Sequence, residues 1–255
     1  MPSLRSLAPY AVVLALGLPA ASYAQQSFSG AQRGEIEKII KDYLVANPEI
    51  LEEMSTELGK RQAVAEAQKH RAAVQRNADA IFNSPRGVVL GNPKGDVTFV
   101  EFFDYNCGYC KRAMDDMLSL LKSDPKLRVV LKEFPVLGPG SVEAAQVAVA
   151  VRMQDPTGKK YLDFHQRLLT ARGQADKARA LAAAKEAGLD MARLEKDLAS
   201  PEVNATLKEN FKLAEDMGLN GTPSYVIGKE VVVGAVGLEG LTKKIAEARC
   251  GSTSC

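Results

Sequence analysis

The spacing of hydrophobic residues changes period along this chain, and each change predicts a different kind of element. From Glu35 to about Ile81 apolar residues return at helical intervals, as in Ile36, Ile39, Ile40, Tyr43 and Leu44. Asn47-Pro48-Glu49 then reads as a cap with proline at the first helical position, so a second helix is expected from Pro48. Ile50, Leu51, Met54 and Leu58 share one stripe of it. Further on, Ala63, Val64, Ala67, Val74 and Ala78 are scattered among Gln, Arg and Lys, a face too thin to bury much alone. Asn83-Ser84-Pro85-Arg86-Gly87 breaks the helical pattern and marks a boundary.

After the turn-rich Gly91-Asn92-Pro93-Lys94-Gly95-Asp96, the run Val97 to Phe103 reads as a buried strand. Helical spacing returns from Cys107 to about Leu121 and stops at Asp124-Pro125. Leu127 to Phe134 is a second strand, parallel to the first if the helix between them is a right-handed crossover. Helical segments follow at Ser141–Met153, Tyr161–Leu169, Ala175–Ala187, Met191–Leu198 and Glu202–Met217. Two short β runs, Tyr225–Ile227 and Glu230–Val233, flank Gly228-Lys229 as a tight hairpin, and Leu238–Arg249 is a last helix. The order βαβ, helices, ββα predicts an α/β sheet with a helical insertion at about 138–218.

The N-terminus changes the picture of where this fold works. A lone Arg5, an apolar run from about Leu7 to Leu18, and the small residues Ser22 and Ala24 have the layout of a secretory signal cleaved after Ala24. The run falls short of the roughly 20 residues that span a bilayer. Three regions are therefore expected: a signal peptide at 1–24, a helical arm and stalk at 25–83, and a catalytic domain at 84–255. Export predicts an oxidising compartment, the periplasm. The arm can pack back on the main domain or pair with copies of itself. Pairing is the preferred reading, because a separate helical segment must hide its apolar face somewhere. Hydrophobic residues make up 46% of the 255, enough for a packed core, and a net charge of +2 without a long basic run argues against a nucleic-acid partner.

The candidate chemistry lies where the first strand gives way to its helix. Cys107 and Cys110 are three residues apart, with Gly108-Tyr109 between them. A thiol at a helix N-terminus faces unsatisfied N–H groups and the positive end of the dipole, which lower its pKa and make it the attacking sulfur. One turn on, Cys110 can attack a mixed disulfide at Cys107 and release its partner, which is thiol–disulfide exchange. Two such thiolates also suit Cu(I), so copper binding is a rival reading, and a chaperone that merely holds clients on an apolar cleft is another. Cys250 and Cys255, at the C-terminus, are expected to form a local structural disulfide. The two histidines, His70 and His165, stand in no metal-ligand or nucleophile–base spacing, so no metal site is expected; His165 reads as a packing or surface residue.

The element order, the Cys-x-x-Cys after the first strand, and Gly221-Thr222-Pro223 before the hairpin together resemble the thioredoxin fold with a DsbA-like helical insertion, over about Val88 to Arg249. Glu101-Phe102-Phe103 resembles the DsbA pattern, Gly108-Tyr109 is similar to the dipeptide of the DsbC isomerases, and the N-terminal arm resembles that of the suppressor-of-copper-sensitivity ScsC proteins. The resemblance implies a cis peptide bond at Thr222-Pro223, whose exposed backbone binds an extended substrate beside the redox pair. It implies that Glu101, six residues before Cys107, is buried beneath the pair and shuttles the proton of Cys110. Lys132 is either the partner of that carboxylate or a solvated strand lysine. Gly108 and Tyr109 place no positive charge beside Cys107, unlike the Pro-His usual in DsbA, so a weaker oxidant is expected, and Tyr109 either contacts substrate or packs. Asp104, if close, opposes thiolate formation slightly. The expected function is thiol–disulfide exchange with misfolded or unfolded exported proteins, foremost as a disulfide isomerase, with a DsbA-like oxidase as the alternative. No cofactor is implied beyond the Cys107–Cys110 disulfide itself, and a DsbD-like or DsbB-like membrane partner resets it.

Overall fold

In the computed structural model, residues 28–255 are described; the expected signal peptide lies outside them. Contacts group the chain into two units that divide at Leu58/Gly59. The first contains α1 (Gly30–Ala46), opened by a capping box in which Ser29 and Gln32 exchange side-chain and backbone hydrogen bonds. α1 buries none of its residues, and Ile39, Ile40 and Tyr43 are exposed. α2 (Glu49–Arg76) follows Asn47-Pro48 and runs across the division. Its last turns belong to the second unit because Ala73 and Val74 are buried in the core there, together with Ile81 of α3 (Ala78–Phe82). The stalk expected to reach 83 thus gives its C-terminal part to the catalytic body.

The second unit is built on a sheet whose strands, numbered along the chain as β1 (Val88–Gly91), β2 (Val97–Phe103), β3 (Leu127–Glu133), β4 (Ser224–Ile227) and β5 (Glu230–Val233), lie in the order β1-β3-β2-β4-β5. β2 and β3 pair in parallel through the crossover helix α4 (Gly108–Ser123). β4 and β5 form the hairpin, and α10 (Gly237–Cys250) closes the fold. Gly228 takes φ +60° in the hairpin turn, a conformation open to glycine at little cost. The strand missing from the sequence reading is β1, which pairs antiparallel with β3 at the sheet edge. Four residues are too few to show a period, and β1 is held by its ladder rather than by its own pattern.

The insertion is five helices: α5 (Pro139–Gln154), α6 (Lys159–Thr170), α7 (Lys177–Glu186), α8 (Met191–Leu198) and α9 (Pro201–Asp216). Strand alternation sorts the core into two faces. Phe99, Leu131 and Tyr225 lie in one cluster with Met117 of α4 and Leu241 of α10; Val100, Phe102, Val130 and Val226 lie in another with Leu213 of α9.

Candidate active site

The site begins with the way the chain leaves β2. Asp104 turns it by accepting hydrogen bonds from the backbone N–H groups of Asn106, Val136 and Leu137, so its carboxylate ties the strand exit to the loop after β3. Asn106 then spans to the insertion: its amide donates to Ser141 Oγ and the Ala175 carbonyl, and its oxygen accepts from Ala175 N–H. These two residues fix the position of Cys107, and the sequence reading assigned neither role. A short polar pair between an apolar strand and a helix-start cysteine is the local signal, but their partners lie more than thirty positions away.

Cys107 is the N-cap of α4, in extended conformation, and its sulfur accepts the N–H of Cys110 at 3.4 Å. The two thiols are unbonded to one another. As a thiol, Cys107 donates to the Thr222 carbonyl at 3.1 Å, across a separation of 115 residues. β4 runs antiparallel to β2 with Ser224 opposite Phe102, which carries Thr222-Pro223 to the end of β2 that leads into the cysteines. The Thr222-Pro223 bond is cis. Cys107 keeps 5% of its surface open and is followed by exposed Gly108 and Tyr109. The Tyr109 ring is stacked under the Arg112 guanidinium at 4.5 Å and faces solvent rather than core.

The two sulfurs differ sharply in acidity. The Cys110 thiol donating to it, above all, draws the Cys107 pKa down to about 5 against an opposing desolvation, with the Thr222 side chain and the N–H groups of Cys110 and Tyr109 assisting. The same hydrogen bond, joined by burial and by the Glu101 carboxylate, pushes Cys110 far above the ordinary thiol range. One sulfur is therefore a ready nucleophile and its neighbour holds its proton until something takes it.

Glu101 is buried on β2, and burial raises its pKa to about 8, with the charges of Cys107 and Asp116 adding to the rise. A carboxyl tuned near neutrality is suited to exchanging protons with Cys110. Lys132 does not pair with it. In the parallel register Glu101 stands opposite Leu131, and Lys132 opposite Phe102 on the other face of the sheet. There Lys132 is fully buried 3.6 Å from Glu209 of α9, so neither expected place for it, beside Glu101 or in solvent, is the observed one. His165 is also buried, hydrogen-bonded to Tyr105 at 3.1 Å and packed edge-on against Phe103; burial lowers its pKa to about 3, so it is neutral near pH 7.

At the far end of the body, Cys250 and Cys255 are joined in a disulfide beside Arg249, which pairs with Asp96 and Asp124. Among the described residues no group of three or more His, Cys, Asp or Glu side chains converges as a metal site, and no helix is long and apolar enough to cross a membrane.

Comparison with known proteins agrees with this geometry. Residues 98–246 match the DSBA-like thioredoxin domain, and residues 32–65 match the Copper resistance protein ScsC N-terminal domain. A thioredoxin-like oxidoreductase from Silicibacter pomeroyi DSS-3 is 45% identical, with a TM-score of 0.63, over 67% of this chain and 96% of that one. Proteus mirabilis ScsC, in a transitional conformation, is 31% identical, with a TM-score of 0.64, over 88% and 98%. The thiol-disulfide exchange protein alpha-DsbA2 from Wolbachia pipientis is 30% identical, with a TM-score of 0.65, over 70% and 95%. The curated relatives matched are Na(+)/H(+) antiporters NhaA; that of Salinispora arenicola is 27% identical over 169 residues, and the chain spans 25% of its length. The chain belongs to the DsbA-like thioredoxin-domain family of thiol–disulfide oxidoreductases and carries a ScsC-type N-terminal domain ahead of it.

Proposed function

We propose that this protein works in the periplasm as a disulfide isomerase, with Cys107 attacking a wrongly paired disulfide of a misfolded exported protein and Cys110 resolving the mixed disulfide. The observation that carries the exchange chemistry is the acidic Cys107 sulfur at the start of α4, in contact with Thr222 before the cis-proline. An extended client segment then hydrogen-bonds the backbone at Thr222-Pro223, while exposed Tyr109 lies beside the approach to the sulfur. The direction of exchange draws on two further features. Gly108-Tyr109 adds no charge beside the thiolate, and the apolar residues exposed on α1 and early α2, among them Ile39, Tyr43, Leu51 and Met54, suit self-association through the arm. Several redox sites joined in this way can act on one client.

The low pKa of Cys107 favours a second reading, a DsbA-like oxidase, because a stabilised thiolate makes the reduced form the preferred one. Reactivation of scrambled RNase by the reduced protein, run beside oxidation of a reduced peptide by its disulfide form, separates them. Isomerisation outpacing oxidation, with the pair mostly reduced in cells by thiol alkylation and reset by a DsbD-like partner, supports the first. A mostly oxidised pair with oxidation dominant overturns it. Charged substitutions on the arm, Ile39→Glu with Tyr43→Glu, are expected to lower the sedimentation mass of the oligomer; an unchanged mass removes the arm as its interface.

A further inference from the structure

Tyr225 is a buried residue with a hydroxyl that the packing alone does not require. It stands directly opposite Glu101 in the antiparallel β2/β4 ladder, and directly opposed residues share a face, with Cβ atoms about 4.5–5.5 Å apart. Its ring packs on Phe99, two residues before Glu101 and on that same face, at a centroid distance of 5.1 Å. Only 1% of Tyr225 is exposed, and its hydroxyl has no hydrogen-bond partner among the described residues. A buried hydroxyl left unpaired is destabilising, a cost that phenylalanine would avoid. Such a group calls for an explanation other than packing.

The neighbours supply one. The charges acting on Tyr225 come, in order of size, from Glu101, Cys110, Asp116 and Cys107. Those that raise Glu101, besides burial, come from Cys107 and Asp116. β3 offers Leu131 opposite Glu101, and Lys132 is on the other face. α10 packs on β2, β4 and α4, and the Leu238 N–H at its start favours the ionised Asp116 carboxylate. Asp116 is half-buried on the flank of α4, at the rim of the seam between α4 and α10. Glu101 thus has one polar neighbour across the ladder, Tyr225, and one anionic neighbour nearer to solvent, Asp116.

We propose that Tyr225 and Asp116 are positioning residues for proton transfer: the Tyr225 hydroxyl, unpaired while Glu101 holds its proton, turns to the Glu101 carboxylate and favours its ionised form, the Asp116 carboxylate opposes that form, and together they bias how readily Glu101 takes the proton of Cys110. In the step they serve, the Cys110 proton goes to the Glu101 carboxylate as the Cys110 thiolate attacks Cys107 in the mixed disulfide. The bond from Cys107 to the client sulfur breaks, and the client leaves as a thiolate that takes a proton from water. Two electrons pass to the client, and the Cys107–Cys110 disulfide forms. Glu101 then returns its proton to solvent. This rests on exchange at Cys107 and Cys110, and is independent of whether isomerisation or oxidation dominates.

The two residues act with opposite signs, which makes the test sharp. Reduced protein is mixed with oxidised glutathione between about pH 5 and 10, quenched in acid, and the decay of the mixed disulfide is followed by mass spectrometry. Wild-type resolution is expected to rise with a midpoint near pH 8. Tyr225→Phe, which keeps the ring, is expected to move that midpoint up by about one pH unit, and Asp116→Asn to move it down by about half a unit. Glu101→Gln removes the midpoint. Superposable profiles for Tyr225→Phe and wild type overturn the proposal, as do shifts of both variants in one direction, the sign of a general packing defect. Should Tyr225→Phe melt below the assay temperature, a difluorotyrosine placed at 225, a stronger donor, is expected to lower the midpoint, and no shift there overturns the proposal. A wild type that forms no mixed disulfide at all would instead remove the exchange reading, an outcome visible in the same traces.

Discussion

The molecule carries two pairs of cysteines at two ends of helices, and the difference between them shows what makes a sulfur reactive. Cys107 caps the start of α4, where backbone N–H groups point at it. Cys250 is the last residue of α10, and both it and Cys255 lie 3.4 Å from the Ala246 carbonyl oxygen. The start of a helix favours negative charge and its end opposes it. A thiolate is therefore stabilised in the first pair, and nothing in the second offers the same help. Access differs in the opposite sense: the tail cysteines are exposed and the redox pair is nearly enclosed. The hydrogen bonds that reach the sulfur, first from the Cys110 thiol and then from the N–H groups of the helix start, and not exposure, separate the candidate catalyst from the staple.

The strongest way to break this contrast is to exchange the cysteines for serine one pair at a time. Cys107→Ser is expected to lower exchange with protein disulfides by at least about a thousandfold, since the nucleophile itself is gone. Cys250→Ser should leave the rate at its wild-type level, and an equal loss in both would erase the distinction. Cys110→Ser should trap clients on Cys107 as mixed disulfides on a non-reducing gel.

The pH dependence comes next in size. Because the Cys107 pKa is about 5 in the fold and about 9 for an ordinary thiol, its ionisation stabilises the reduced protein. That contribution is complete above about pH 9 and is lost as the pH falls through about 5. The melting temperature of the reduced form, taken relative to the oxidised form, should fall steadily from about pH 9 to about pH 5. A flat difference would mean that Cys107 has an ordinary thiol pKa. Serine at both tail positions should leave this slope as it is.

Smaller effects sharpen the contrast further. Asn106→Ala removes three hydrogen bonds between the redox loop and the insertion and is expected to cost about 1–3 kcal/mol in denaturant titration, with slower exchange. Unchanged stability would show that the insertion is held without this tie. Replacing both tail cysteines should cost at most about 2 kcal/mol, since the loop they close is short. A larger loss would give the tail a structural weight that its loop length does not explain.

Much of this was legible from residue order. Elements with long or strongly periodic patterns, α4, β2, β3 and the insertion helices, fall close to where the spacing put them, because burying a periodic stripe leaves few alternatives. The short ones escaped: β1 depends on its neighbour's ladder, and the tie from Asn106 to Ala175 joins loops that no local pattern connects. Lys132 is the instructive failure. Its charge and its place on the second strand suggested a partner for Glu101, but pairing partners in a sheet are set by register, and one residue of offset turns a side chain to the opposite face.

By itself the sequence determined the redox chemistry of this protein: two cysteines one turn apart, at a point where an apolar strand must become a helix, present one sulfur to the helix start and keep the second behind it. The tertiary structure decided what surrounds them. It brought Thr222-Pro223 to Cys107 from 115 residues away, set Tyr225 rather than a lysine across from Glu101, and closed the core over the carboxyl so that its proton is held near neutral pH. Helix polarity is a local property of the backbone and can be read from a few residues. Burial and cross-strand register exist only once distant segments have packed, and burial is what raises the Glu101 carboxyl to about 8.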